Sequence, residues 1–211
     1  MKNDYFQYVI RDIRIMSIVE KVSSGKRFSE IVSNRKPFGI ETDLFNAPER
    51  YVDANLQFEP YANSVKIYGV QGLKGGAKRK IGYIKPTSIT NNINEIKKFK
   101  LFFPKTYSTD AINPPEIICG EPNDVCTSTF LMIGTFESEQ EQKNCLSYIN
   151  TSFFKILLYF GKGTINVTSS VFTLIPLQDF TEDWTDAKLY KKYGLTQEEI
   201  DFIESMIRPM E

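Results

Sequence analysis

Glu95 and Lys97 stand two residues apart, with Asp53 as a carboxylate upstream. This is the residue set with which a metal-dependent nuclease holds magnesium and orients a water. A three-residue match is common by chance, and residues 91 to 98 read as a polar helical turn. Gly72, Gly75 and Gly76 with Lys74, Lys78 and Arg79 come nearest to a phosphate-binding loop. A P-loop needs glycine before its lysine and a hydroxyl after it. Ala77 and Arg79 take those places, and the segment leads into a strand rather than a helix. Cys119, Cys126 and Cys145 lack the paired spacing that clamps zinc and read as structural thiols. The chain has no histidine, which removes Ser-His-Asp and Cys-His nucleophile activation, most zinc sites and the commonest neutral-pH base.

The remaining chemistry is charge. The 211 residues carry 26 basic and 26 acidic side chains, but unevenly. Residues 66 to 105 hold ten basic groups against Glu95 alone, whereas residues 106 to 175 hold three against seven and residues 176 to 211 four against nine. One basic block in an otherwise acidic chain is the footprint of a polyanion partner. No apolar run reaches the roughly 20 residues of a membrane span, and no secretory leader opens the chain. With three irregularly spaced cysteines, a soluble cytoplasmic protein with no membrane partner is expected.

The elements that would carry this block follow from periodicity. Phe6, Val9, Ile10, Ile13, Met16 and Val19 recur at helical spacing, predicting an amphipathic helix over residues 3 to 22. A short helix is expected around Phe28 to Ser33. Val65 to Val70, Lys80 to Ile84 and Phe99 to Phe103 read as strands, the first two forming a hairpin whose tip is the glycine-rich basic segment. Pro104 to Asp124 should be mostly loop, and Thr127 to Phe136 a strand. Ser138 and Glu141 form a capping box opening one long helix whose core face runs from Cys145 to Phe160. Val171 to Ile175 reads as a final strand. Asp186 to Tyr193, stopped by Gly194, and Thr196 to Arg208, opened by a second box at Thr196 and Glu199, read as helices. The predicted fold is α+β (mixed α/β): a twisted, partly antiparallel sheet with packed helices, an N-terminal helix and a C-terminal two-helix appendage.

The run Phe172 to Phe180, then Trp184-Thr185-Asp186, Leu189 to Thr196 and Glu199 to Glu204, resembles the C-terminal region of adenine-specific DNA methyltransferases of bacterial restriction-modification systems. Arg35 to Gly39, Phe99 to Lys105, Thr127 to Gly134 and Tyr148 to Leu157 agree in order. The resemblance covers roughly residues 30 to 208. It implies a target-recognition domain that selects the DNA sequence for a separate catalytic domain, non-catalytic by itself. The catalytic half is missing: Asn113-Pro114-Pro115 is followed by Glu116, where a base-binding motif would need an aromatic.

The implied organisation is a linker over residues 1 to 25, the recognition domain over 26 to 180 and a helical appendage over 181 to 211. The implied partners are double-stranded DNA and a methyltransferase catalytic domain, in the same polypeptide or as a partner subunit. S-adenosylmethionine would belong to that catalytic domain and no cofactor to this chain. Arg35, Lys36, Lys74, Lys78, Arg79, Lys80, Lys97, Lys98 and Lys105 are the candidate DNA contacts. Of these, Lys78 and Arg79 are placed for base edges and Lys97 and Lys98 for phosphates. Trp184, Tyr190, Tyr193 and Phe202 are expected to pin the terminal helices rather than stack on bases. The alternatives are a metal-dependent nuclease and a protein-interaction module docking through its acidic tail.

Overall fold

The computed structural model describes residues 13–72 and 76–207, and the chain forms two compact units. A sheet unit comprises Ile31–Lys105 and Glu116–Gln142, and a helical unit comprises Met1–Glu30, Thr106–Pro115 and Lys143–Glu211. The units interleave along the chain, whereas the expected segments ending at 25 and 180 are contiguous.

The fold is mixed α+β, and among the described residues it has six strands and five α-helices. The strands are β1 (Val65–Gln71), β2 (Lys78–Ile84), β3 (Phe99–Pro104), β4 (Ile118–Gly120), β5 (Asp124–Cys126) and β6 (Phe130–Phe136). They form two three-stranded sheets, β2-β1-β5 and β4-β3-β6. The β1/β2 ribbon is antiparallel, running from Val65 opposite Ile84 to Gln71 opposite Lys78, and β5 adds to β1 in parallel. Strand alternation decides what the ribbon buries. Val65, Ile67 and Gly69 of β1 and Gly82 and Ile84 of β2 are buried on one face. The ring of Phe45 lies directly over Gly69 and reaches Gly82, filling the space where side chains would stand. One core gathers these residues with Phe38, Leu44, Val125, Phe102, Phe130 and Met132, so both sheets share it.

The expected loop from Pro104 to Asp124 is not structureless. It contains β4, which pairs with β3, and Thr106 bridges to Asn166 within the helical unit.

The helices are α1 (Arg14–Lys21), α2 (Glu139–Asn150), α3 (Ser152–Gly161), α4 (Asp186–Lys192) and α5 (Gln197–Ile207). Only the last turns of the expected N-terminal helix lie within the described residues. Its buried face there is Ile15, Ile18, Val19 and Val22, while Ile13 and Met16, expected in the core stripe, are exposed. Phe28–Ile31 is a single 3-10 turn. The expected long helix is broken at Thr151. The Thr151 hydroxyl donates to Tyr148 O at 2.7 Å and accepts from Phe154 N at 3.1 Å, starting α3 afresh. The Asp186 carboxylate accepts from the N–H groups of Ser152 and Phe153 at 3.0 and 2.9 Å, so three orphan donors are satisfied.

Val171 to Ile175 is likewise not a strand. Ser169–Phe172 is a 3-10 turn that carries Phe172 into a ring cluster with Phe28 and Phe154, and β-branched residues without a neighbouring strand take the conformation that packing rewards. The box at Thr196 forms as expected: Glu199 Oε2 accepts from Thr196 N at 2.8 Å and Thr196 Oγ1 from Glu199 N at 3.3 Å. At Ser138 the hydroxyl accepts from Glu141 N at 3.2 Å, while the Glu141 carboxylate reaches Glu137 N. Trp184, Tyr190 and Phe202 are buried, and Tyr193 stacks on Phe153 with centroids 5.3 Å apart. These rings have partners inside the helical unit.

Candidate nucleic-acid interface

Eight of the nine candidate DNA contacts belong to the sheet unit, and the ninth, Lys74, lies outside the described residues. The ribbon presents the most distinctive arrangement. Gly82 and Ile84 anchor β2 in the core, and Lys78, Arg79, Lys80 and Ile81 beyond them are all exposed. At the rise of a strand these four residues extend about 13 Å. Across the ribbon Gly69, opposite Lys80, is buried under Phe45, and Gln71, opposite Lys78, donates to Phe45 O, so the exposed length belongs to β2; a DNA major groove admits a two-stranded ribbon.

Alternation then separates the cations. Lys78 and Lys80 continue the face of Gly82 and Ile84, whereas Arg79 points to the opposite face with Ile81 and Tyr83. Arg79 is already engaged there: its guanidinium donates to the Glu116 carboxylate at 3.0 Å and to the Glu116 carbonyl. Lys78 and Lys80 make no ion pair among the described residues. Lys78 and Arg79 therefore cannot both face one groove wall.

Other members of the basic block are also committed. Lys98 pairs with Glu137, and Lys36, which adopts a left-handed backbone, pairs with Glu41. Lys66 pairs with the buried Asp124 at 3.0 Å. Burial pushes the Lys66 ammonium down, but hydrogen bonds with Asp124 and Tyr68 win and hold it above its ordinary value. Lys100 leaves the surface altogether. Fully buried in β3, its ammonium donates to the carbonyls of Ile96, Glu121 and Asp124 at 2.8, 3.2 and 3.1 Å, and burial pulls its pKa down to about 8. The sheet unit holds thirteen basic and twelve acidic side chains, so folding brings to the basic block most of the acids it lacks in sequence.

Arg35, Lys78, Lys80, Lys85, Lys97 and Lys105 remain without an ion-pair partner among the described residues. Arg35 and Lys105 are neighbours: burial and then the guanidinium charge hold the Lys105 ammonium below its ordinary value. Lys97 is exposed beside the engaged Lys98. Lys85, exposed just past the end of β2, belongs with this set by accessibility. Its membership of the basic block was the available signal.

The nuclease alternative gains no site. Glu95 ends a 3-10 turn, and the described residues contain no group of three or more His, Cys, Asp or Glu placed to hold a metal. Cys126 and Cys145 are buried and burial pushes their thiols up, while Cys119 is exposed on β4. No helix among the described residues is long and apolar enough to cross a membrane. Comparison of the chain with protein-family models, with curated proteins and with solved structures gives no match in any of the three.

Proposed function

We propose that the chain is a DNA target-recognition module of an N6-adenine methyltransferase system, non-catalytic by itself, which grips and reads duplex DNA for a separate methyltransferase catalytic domain. The observation that carries this reading is the ribbon: Lys78 and Lys80 lie on one face of β2, exposed beyond its buried Gly82, with no ion-pair partner among the described residues. Lysine on such a face reaches phosphate oxygens or the acceptor edge of guanine. Arg35, Lys85, Lys97 and Lys105 are further cations for phosphates. Arg79 is assigned to fixing the ribbon against Glu116 rather than to a base. The resemblance of the segments quoted above to methyltransferase C-terminal regions supports the same reading.

The test is the salt dependence of binding to duplex DNA. Each neutralised phosphate contributes about −0.9 to the slope of log affinity against log salt, so six cations give a slope of about −5. Without a catalytic domain on the other side of the duplex, the affinity is expected to be micromolar at best, on the order of non-specific binding. A flat dependence in fluorescence anisotropy would remove the reading.

A further inference from the structure

β2 is an edge strand, paired with β1 on one side only. In an antiparallel pair, alternate residues turn both backbone groups to the same side. Tyr83 donates its N–H to Gln57 O at 2.8 Å and accepts from Gln57 N at 3.0 Å, which identifies Tyr83, Ile81 and Arg79 as the set facing away from β1. Gln57 is thus the first residue of a third strand that the chain begins and abandons after one bridge. Beyond it the outward N–H and C=O groups of Ile81 and Arg79 have no partner among the described residues. Beside this edge stand two large exposed apolar side chains, Phe58 at 53% and Ile81 at 47% exposure.

We propose that the outer edge of β2 accepts an extended acidic peptide as an added strand. Backbone hydrogen bonds to Arg79 and Ile81 would continue the line opened by Gln57. The flanking side chains set the sequence preference. Lys78 and Lys80, unpaired on one face, favour carboxylates at alternate positions of the incoming strand, and exposed Ile81 on the other favours apolar residues between them. A second copy of the same edge would set lysines against lysines, so self-pairing is disfavoured; charges of this kind blunt an edge against like strands and select an opposite one. The inference stands on the free backbone edge and does not depend on the DNA reading.

The probe is a fluorescein-labelled peptide of about eight residues alternating Glu and Val, long enough to span the edge. Saturable anisotropy is expected with the wild-type chain, and none with the peptide in which Lys replaces every Glu. Two further peptides carry N-methyl groups on one or the other alternate set of amides. Only one set faces β2 in an added strand, so one peptide is expected to bind about tenfold more weakly than the other. Ile81→Pro, which deletes an outward N–H without touching the ladder to β1, should weaken the unmodified peptide by about the same factor. Absence of saturable binding, or equal binding of the two N-methylated peptides, would overturn the proposal, the latter by reducing the contact to charge alone.

Discussion

Lys100→Met is expected to lower folding stability by about 1–3 kcal/mol, because it removes a buried, charge-assisted donor shared by three carbonyls while keeping the volume. The ammonium ties Ile96 O, Glu121 O and Asp124 O together, and Gln142 Nε2 continues the network to Lys100 O and Gly120 O at 2.6 and 2.9 Å. Methionine relieves the desolvation of a buried charge but gives up three charge-assisted hydrogen bonds; Ile96 O and Glu121 O keep the N–H groups of Asn123 and Asp124 at 2.8 and 3.0 Å, which limits the net loss. The pH dependence gives an independent check. The folded-state pKa of about 8 lies below the ordinary lysine value of 10.5, so the unfolded chain binds more protons between them. Stability contributed by this group therefore rises with pH from about 8 upward, as the cost of a buried charge is relieved, with a ceiling of about 3 kcal/mol. Urea unfolding at pH 7 to 10 should show this rise in the wild type and not in Lys100→Met, so that the stability difference between the two changes with pH. Coincident profiles would mean that Lys100 is not buried as an ammonium.

Gly69→Val is expected to cost about 3 kcal/mol and to disturb the ribbon locally. A Cβ at position 69 would stand 2.2 Å from Phe45 Cε2 and 2.3 Å from Cδ2. Phe45 is almost fully buried, so its ring has nowhere to move without opening the shared core. Gly163→Ala, where nothing lies within 4 Å, is the matched control and should stay within about 0.5 kcal/mol of wild type. Residues in direct contact couple non-additively. Phe45→Leu in the Gly69→Val background is therefore expected to cost less than the sum of the two single changes, measured from urea midpoints. Strict additivity would show that the ring does not rest on the glycines.

What the sequence revealed, and what it hid, divides by the range of the interaction. The ribbon was legible because β-rich runs flank a glycine-rich turn, and both capping boxes because serine or threonine and glutamate sit three residues apart. The break at Thr151 was hidden because its cause, the carboxylate of Asp186, lies thirty-five positions later. Val171 to Ile175 carried strand-forming residues but no partner strand, and the aromatic cluster around Phe28 decided its conformation. In the described part of α1 the expected stripe held at Val19 and failed at Ile13 and Met16, because Ile15, Ile18 and Val22 recur at the same helical spacing and form the rest of the buried face.

The basic block shows the same limit at the candidate site. Counting charges along the chain cannot reveal that Lys100 is buried, although a lysine inside Phe99-Lys100-Leu101-Phe102-Phe103 is a lysine in an apolar strand. Nor can it show that Glu116, Glu137 and Asp124 return to Arg79, Lys98 and Lys66. Only strand alternation, available in principle from the sequence, separates Lys78 and Lys80 from Arg79.

The most direct test of DNA recognition through the ribbon compares duplex binding by wild type, the double variant Lys78→Glu with Lys80→Glu, and Arg79→Ala, each across a salt series in fluorescence anisotropy. The double variant is expected to lose affinity strongly at low salt, with a slope smaller by about 2, one step for each phosphate contact removed. Arg79→Ala should keep nearly the full slope, since its guanidinium is held by Glu116 on the opposite face. Unchanged affinity and slope in the doubly reversed variant would mean that the ribbon does not contact DNA.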